Sequence, residues 1–215
     1  MNLHVVHRLA LANENIADAL TPADLDAMQV AAEAHLQGLF TALRIDTAHD
    51  HNMRDSAKRI ARMLVRETFA GRYLPRPAIT AFPNVRDLDE LYTVGPITVR
   101  STCSHHLAPV VGHAWVGVIP GELIIGLSKF SRVVEWIMRR PQIQEEATAQ
   151  IADELERLIE PRGLAVVVKA RHLCMTWRGV CEHDADMVTS VMRGLFRANS
   201  DARHELLAFI AKNGA

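Results

Sequence analysis

The chain has 215 residues, of which 49% are hydrophobic and 23% charged, and its formal net charge is -1 at pH 7. This balance is typical of a globular protein with a sizeable core, and it argues against a disordered chain and against a globally basic nucleic-acid binder. No stretch approaches the ~20 apolar residues of a membrane span, and acidic Glu14 and Asp18 argue against an organellar presequence, so we expect a cytoplasmic protein.

Two helices are predicted in the first third of the chain. Thr21, followed by Pro22 and Asp24, is typical of a helix N-cap, and the pattern behind it extends this helix to about Ile45. A second helix is predicted from about Asp55 to a stop near Gly71. We therefore expect an N-terminal helical region over residues 1–72 and one larger domain over residues 73–215.

The middle of the chain is predicted to turn from loop to strands. Prolines and the acidic run DLDE favour an irregular loop from Tyr73 to Val94. Strands are predicted at PITVRS and at residues 113–119, the second closed by Pro120 and Gly121. Ser128 is then placed to cap a helix whose apolar residues recur at helical spacing.

The last third continues with a helix, two strands and a final helix. Apolar residues recur every fourth position from Ile143 to Ile159, which predicts a helix that Pro161 and Gly163 end. Strands are predicted at LAVVVKAR and at residues 186–196, and Asp201 is placed to cap the last helix. Because the links are short, antiparallel pairing is favoured, and the fold class is α+β.

Two distant segments supply candidate metal ligands. Cys103 and His106 have a Cys-x-x-His spacing just after a predicted strand, and Cys174 follows another strand. Thiolate and imidazole ligands are typical of zinc, and three protein ligands leave a fourth position open, which is the catalytic arrangement. Two readings stay open: Cys174 as a buried free thiol, and Cys181 as a fourth ligand that would make the metal structural.

Two further histidines lie beside these ligands. His105 precedes His106, and His172 lies two residues before Cys174. Neither imidazole is needed to hold a metal with the ligand set above. Imidazoles next to a metal-activated water suit proton transfer to and from reacting groups.

Basic and polar side chains predict an anion site, with a base-reading pair nearby. A glycine, a hydroxyl and two cationic groups surround a predicted helix N-terminus, where backbone N–H groups already favour anions, and Arg178 follows Cys174. Gln144 and Glu145 begin another helix; a carboxylate there is either a partner of the helix dipole or an acceptor for the edge of guanine. The candidate anion contacts are Ser128, Lys129, Arg132 and Arg178, with Lys58, Arg59 and Arg62 on a basic helix face.

A set of segments is far more specific than any of these motifs alone. They are STCSHHLAP, VIP, GLSKFSRVVE, RRPQIQEEAT, RHLCMTWRGV and VTSVMRGLFR, with KRIARMLVRETFAG in the N-terminal half. Together they resemble the GTP cyclohydrolase I family. The resemblance runs continuously from Ile97 to about Phe209, and it implies a T-fold with four antiparallel strands and helices on one face.

The resemblance also implies an assembly and roles for single residues. It implies a ring of ten subunits, with active sites between subunits. Position by position, the implied zinc ligands are Cys103, His106 and Cys174, the catalytic histidines are His105 and His172, and the guanine readers are Gln144 and Glu145. The implied triphosphate and ribose contacts are Ser128, Lys129, Arg132 and Arg178, with Arg59 and Arg62 from a neighbouring subunit.

The implied reaction is the first step of pterin and folate biosynthesis. Water supplied at zinc attacks C8 of the guanine of GTP, the imidazole ring opens, and a second hydrolysis releases formate. The ribose then rearranges and closes a new ring to give 7,8-dihydroneopterin triphosphate.

The chain departs from the family pattern at several positions, and other functions stay open. Ser104 stands where the family usually has Glu, Arg62 replaces a usual lysine, and the segment before Arg59 and the run HDADMVT also differ. One alternative is a divergent member that stops at the ring-opened formamide or takes another purine nucleotide. Others are a non-catalytic, zinc-stabilised nucleotide-binding oligomer and, less favoured, a T-fold nitrile reductase, which would need a cysteine nucleophile and not this ligand set.

Overall fold

The computed structural model describes residues 9–213, and its elements are of the predicted α+β class. The helices are α1 (Pro22–Ala42), α2 (Ser56–Met63), α3 (Ala70–Tyr73), α4 (Leu127–Met138), α5 (Gln144–Ile159), α6 (Leu173–Thr176), α7 (Leu195–Ala198) and α8 (Ser200–Asn213). The strands are β1 (Ala81–Pro83), β2 (Tyr92–Cys103), β3 (Pro109–Ile119), β4 (Leu123–Ile125), β5 (Pro141–Gln142), β6 (Gly163–His172) and β7 (Met187–Gly194). Within the described residues, no helix has the length and apolar character of a membrane span.

The chain divides into two compact units at the Pro75–Arg76 bond. In the first unit, α1 begins with the predicted capping box: the Thr21 hydroxyl accepts from the Asp24 N–H at 3.2 Å, and the Asp24 carboxylate accepts from the Thr21 N–H at 2.7 Å. The predicted second helix is split into α2, a π-helical turn over Leu64–Thr68, and α3.

The segment from Tyr73 to Val94 contains more structure than the sequence predicted. Strand β1 lies in it and pairs antiparallel with β4, and β2 already begins at Tyr92. The sequence prediction began this strand at Pro96, and proline has no N–H to donate to a ladder. The sheet accommodates Pro96 through a register shift between Val94 and Ile97, so the pairing continues on both sides of it.

The main sheet has the strand order β5-β2-β3-β6-β7. Its four long strands are antiparallel, as predicted, and the two residues of β5 add a short parallel edge beside the end of β2. The sheet therefore has one strand more than the four that the sequence predicted.

One face of the sheet and the two central helices form the larger core. Helix α5 buries Ala147, Ile151, Leu155 and Ile159 completely, the same four-residue repeat that predicted it. Each large aliphatic side chain buried in this way contributes roughly 1.5–3 kcal/mol relative to exposure. A smaller cluster lies at Ala165 on the opposite face of β6, where residues of α7 and α8 cover the sheet.

Two predicted caps are displaced. Helix α4 begins at Leu127 with Gly126 as its N-cap, so Ser128 lies inside the first turn and is exposed. At α8, the side-chain oxygen of Asn199 accepts from the N–H groups of Asp201 (2.8 Å) and Ala202 (3.4 Å), so Asp201 is not the cap. Helix α4 begins two residues after the end of β4, and α8 begins two residues after the end of α7. Each cap therefore lies closer to the preceding element than the sequence predicted.

Gly112 tests the pairing of β3 with β6. A Cβ atom at this position would lie 2.1 Å from the carbonyl oxygen of Lys169 and 2.5 Å from the Cα of Ala170. We expect Gly112→Ala to lower the free energy of unfolding by about 1–3 kcal/mol or more, because the added methyl meets backbone that cannot move aside. Urea denaturation of the metal-loaded protein, followed by circular dichroism, measures this loss.

Gly38 in α1 is the matched control, since a Cβ there meets no atom within 4 Å. Gly38→Ala is expected to leave stability unchanged or to raise it by about 0.4–1 kcal/mol. A Gly112→Ala variant as stable as the parent chain would contradict the described register.

Candidate metal centre and active site

The candidate site forms because one strand pairs with two others. Strand β3 lies between β2 and β6, and its first residues face the last residues of both: Thr102 is opposite Pro109, and Val110 is opposite His172. The ends of β2 and β6 therefore lie on either side of the start of β3. This arrangement unites the two cysteine- and histidine-bearing segments that are about 70 positions apart in the sequence.

A tight turn follows β2 and orients the segment that carries Cys103, His105 and His106. The Leu107 N–H donates to the Cys103 carbonyl at 2.9 Å, the Cys103 N–H donates to the Ala108 carbonyl at 2.9 Å, and Leu107 has a positive φ of 52°. The Ser104 N–H donates to the Gln142 carbonyl of β5 at 3.2 Å. The turn leaves Cys103 buried at the strand end and exposes His105 and His106, whose ring centroids are 6.3 Å apart.

The three residues that the sequence predicted as metal ligands lie together. One ligand atom each from Cys103, His106 and Cys174 falls within 4.8 Å of the others, and among residues 9–213 this is the group of three or more such side chains that could hold a metal ion. Two thiols and one imidazole are a donor set that suits zinc. Cys181 is not in the group; it is exposed, and its thiol lies 3.6 Å from the Gly179 carbonyl oxygen.

The electrostatics of the two thiols favour a cation between them. Burial raises the pKa of the Cys174 thiol, and the adjacent Cys103 acts in the same direction, whereas Arg178 lowers it. Without a cation, the Cys174 thiol therefore resists forming the thiolate that a metal needs. A bound divalent cation reverses this balance, because it stabilises thiolate directly.

His172 is held by an amide from α5. Its Nε2 lies 2.8 Å from the Oε1 of Gln144, the first residue of the helix. Burial lowers the pKa of His172, and the negative charge of Glu145 opposes this shift. The imidazole is thus half-buried and fixed in direction, next in sequence to the segment that carries Cys174.

Both polar atoms of the Gln144 side chain already have partners within the chain. Its side chain is 4% exposed, and its Nε2 lies 3.1 Å from each of three acceptors, the carbonyl oxygens of Val168 and Met187 and the hydroxyl of Thr189. Its neighbour Glu145 is exposed in the first turn of α5. Of the two predicted base readers, Glu145 is therefore the one with a carboxylate free to meet a ligand.

The predicted anion contacts lie in two places. Ser128, Lys129 and Arg132 share the first two turns of α4, and within residues 9–213 their side chains have no hydrogen-bond or ion-pair partner. Arg178 is exposed and close enough to Cys174 to affect its pKa. These side chains are thus available to an anion.

Arg59 and Arg62 lie on α2, in the first unit of the chain. Both are exposed, and Arg59 has an Asp55 carboxylate 3.7 Å away. Their predicted role, in the active site of a neighbouring subunit, stays a prediction.

Two threonines next to Gln144 were missed by the sequence reading. The hydroxyl of Thr148 lies 2.7 Å from both the Gln144 carbonyl oxygen and the hydroxyl of Thr189. The position of Thr148 could have been recognised from the sequence, because it follows Gln144 by one helical turn on a face that is otherwise apolar. That of Thr189 could not, since its position next to α5 depends on the pairing of β7 with β6.

The chain is similar to known proteins over most of its length. The family model described as GTP cyclohydrolase I matches residues 32–211. GTP cyclohydrolase 1 of Mycobacteroides abscessus is 44% identical over 181 residues, covering 83% of this chain and 88% of that protein. GTP cyclohydrolase 1 of Aeromonas hydrophila is 36% identical over 204 residues, covering 94% of this chain and 93% of that protein.

A third relative and one solved structure complete the comparison. GTP cyclohydrolase 1 of Aliivibrio salmonicida is 38% identical over 179 residues, with 83% and 82% coverage of the two chains. A crystal structure of the apo archaeosine synthase QueF-like protein is a distant partial match, with a TM-score of 0.38, 13% identity, and coverage of 56% of this chain and 97% of that one. The family model and the relatives span most of the sequence, and the chain belongs to the GTP cyclohydrolase I family.

Proposed function

We propose that this chain is a zinc-dependent GTP cyclohydrolase that converts GTP to formate and 7,8-dihydroneopterin triphosphate. The observation that carries the proposal is the convergence of Cys103, His106 and Cys174, in a member of this family, on one point with three protein ligands. Three ligands leave one coordination position for water, which is the arrangement of a catalytic zinc site. Bound zinc would supply there a water of lowered pKa and a Lewis acid.

The histidines supply the proton transfers that this hydrolysis needs. Addition of water to C8 and cleavage of the C8–N9 bond require one proton to leave the water and another to reach the departing nitrogen. His172 is oriented by Gln144, and His105 is exposed beside His106. We assign both imidazoles to these transfers and to the second hydrolysis, which cleaves the formyl group from N7 and releases formate.

Substrate recognition is assigned to charges of opposite sign. The Glu145 carboxylate is exposed near His172 and can accept two hydrogens from the guanine edge, at N1 and the exocyclic amine. Lys129 and Arg132, with Ser128, lie near the N-terminus of α4, where backbone N–H groups also favour phosphate. Arg178 joins this set from the side of Cys174.

The assembly is part of the same proposal. The family resemblance implies a homodecamer in the cytoplasm, with Arg59 and Arg62 of one subunit completing the site of the next. Within residues 9–213, Lys129 and Arg132 of α4 have no ion-pair partner. A triphosphate carries more negative charge than these two side chains neutralise, which supports a site that further cations complete.

Product analysis tests the proposed reaction. Zinc-loaded protein incubated with GTP is expected to give dihydroneopterin triphosphate and an equal amount of formate, measured by mass spectrometry and a formate assay of the same sample. ATP serves as the matched control and is expected to remain unchanged, because its base lacks the N1 hydrogen and the 2-amino group that Glu145 is assigned to bind.

Two other outcomes would change the account. A ring-opened formamide without formate would show that the reaction stops halfway, in a chain that carries Ser104 where the family usually has Glu. Unchanged GTP would contradict the proposed activity.

The role of Glu145 is tested by substitution. Glu145→Gln is expected to raise the KM for GTP by about 10- to 100-fold, since a hydrogen bond to a charged group contributes about 1.5–3 kcal/mol. Steady-state kinetics measure this change. Glu146→Gln is the matched control, because it removes an equal charge from the same helical turn. Equal effects of the two substitutions, or an unchanged KM for Glu145→Gln, would contradict the assignment.

A further inference from the structure

We infer that Thr148 and Thr189 act as positioning residues: together with the carbonyls of Val168 and Met187 they hold the Gln144 amide, which fixes the ring nitrogen of His172 that carries the hydrogen. The catalytic use of His172 in this inference rests on the proposed function. The hydrogen-bond directions themselves follow from the described contacts.

The orientation of the Gln144 amide is determined by two backbone carbonyls. The oxygens of Val168 and Met187 lie 3.1 Å from the same amide atom, and a carbonyl oxygen can only accept a hydrogen bond. That atom must therefore be the nitrogen. The amide oxygen is left on the other side, 2.8 Å from His172 Nε2. Because an amide oxygen only accepts, Nε2 must be the ring nitrogen that donates.

The two hydroxyls are ordered in the same way. Thr148 donates to the Gln144 main-chain carbonyl at 2.7 Å, so its single hydrogen is used there. Its oxygen then accepts from the Thr189 hydroxyl at 2.7 Å. Thr189 has thereby used its own hydrogen, so its oxygen acts as an acceptor toward the Gln144 amide nitrogen, 3.1 Å away. The two amide hydrogens are then shared among three acceptors, which are this hydroxyl and the carbonyls of Val168 and Met187. The direction of each of these hydrogen bonds follows from the main-chain carbonyls of Val168, Met187 and Gln144, which can only accept.

The consequence for His172 is that Nδ1 is left with the lone pair. A neutral imidazole with a hydrogen on Nε2 accepts a proton only at Nδ1. Nδ1 is thus the ring nitrogen with a lone pair to offer a donor, while Nε2 stays bonded to Gln144. A glutamate at position 144 would not serve, because its carboxylate would face the two carbonyl oxygens without a hydrogen to donate.

Solid-state NMR of zinc-loaded protein, labelled with ¹³C and ¹⁵N in histidine, reads the hydrogen position directly. In the expected spectrum, the protonated ring nitrogen of His172 correlates with Cδ2, which identifies it as Nε2; a His172→Gln spectrum assigns the signals. A protonated nitrogen that correlates with Cγ would overturn the inference. This readout requires no turnover, so it separates failure of the inference from failure of the proposed reaction.

Kinetics of Thr189 variants test the positioning role. Thr189→Val keeps the shape of the side chain and removes both of its hydrogen bonds; kcat is expected to fall about 3- to 10-fold, in line with the loss of one or two neutral hydrogen bonds, with KM and zinc content unchanged. Thr189→Ser restores the hydroxyl and is expected to recover most of kcat. Ser190→Ala, on the neighbouring exposed position of β7, is the control with parental kinetics.

Three results would contradict the role. They are an unchanged kcat in Thr189→Val, a loss of kcat that Thr189→Ser does not recover, and a rise in KM in place of a fall in kcat. The last would return Gln144 and its neighbours to substrate recognition.

Discussion

The candidate centre depends on the pairing of β3 with both β2 and β6. Antiparallel ladders fix which residues are opposite, and here they place the end of β2 and the end of β6 on the two sides of the same short stretch of β3. Cys103 and Cys174 meet for this reason alone, since no local contact in the sequence joins them. A slip of one residue in either ladder would turn every side chain of the strand to the other face of the sheet.

The electrostatic state of the site follows from this juxtaposition. Burial and the neighbouring Cys103 raise the pKa of the Cys174 thiol, so this thiol holds its proton more tightly. A divalent cation stabilises both thiolates at once, so the same geometry that is unfavourable without metal becomes a tight ligand set with it. His172 lies outside that set, and its Nε2 is bonded to Gln144. The proton transfer that we propose for this residue therefore uses its other nitrogen.

The sequence predicted those parts of the molecule that have a local cause. The capping box at Thr21 and the apolar repeat of α5 depend on neighbours within one or two turns, and both are confirmed. The cap at Ser128 was wrong because the sequence does not show that β4 ends at Ile125, immediately before the helix. The start of β2 was misplaced because the register shift that admits Pro96 is a property of the pair of strands.

The candidate site divides along the same line. Spacing and residue type brought Cys103, His106 and Cys174 forward as candidate ligands but left open a buried free thiol at Cys174 and a fourth ligand at Cys181. The proximity of the three side chains is what the structure adds. The partners of Gln144 were beyond the sequence, since they come from the main chain of β6 and β7 and become neighbours only through long-range pairing. The motif alone does not distinguish the roles of Gln144 and Glu145. Their burial does, because the amide of Gln144 is buried and the carboxylate of Glu145 is exposed.

X-ray absorption at the zinc edge, on zinc-loaded protein without nucleotide, tests the metal centre most directly. The account predicts two sulfur ligands at about 2.3 Å and two nitrogen or oxygen ligands at about 2.0–2.1 Å, the second of them water at the open position. A third sulfur would bring Cys181 into a closed, structural site, and one sulfur or none would contradict the ligand set itself.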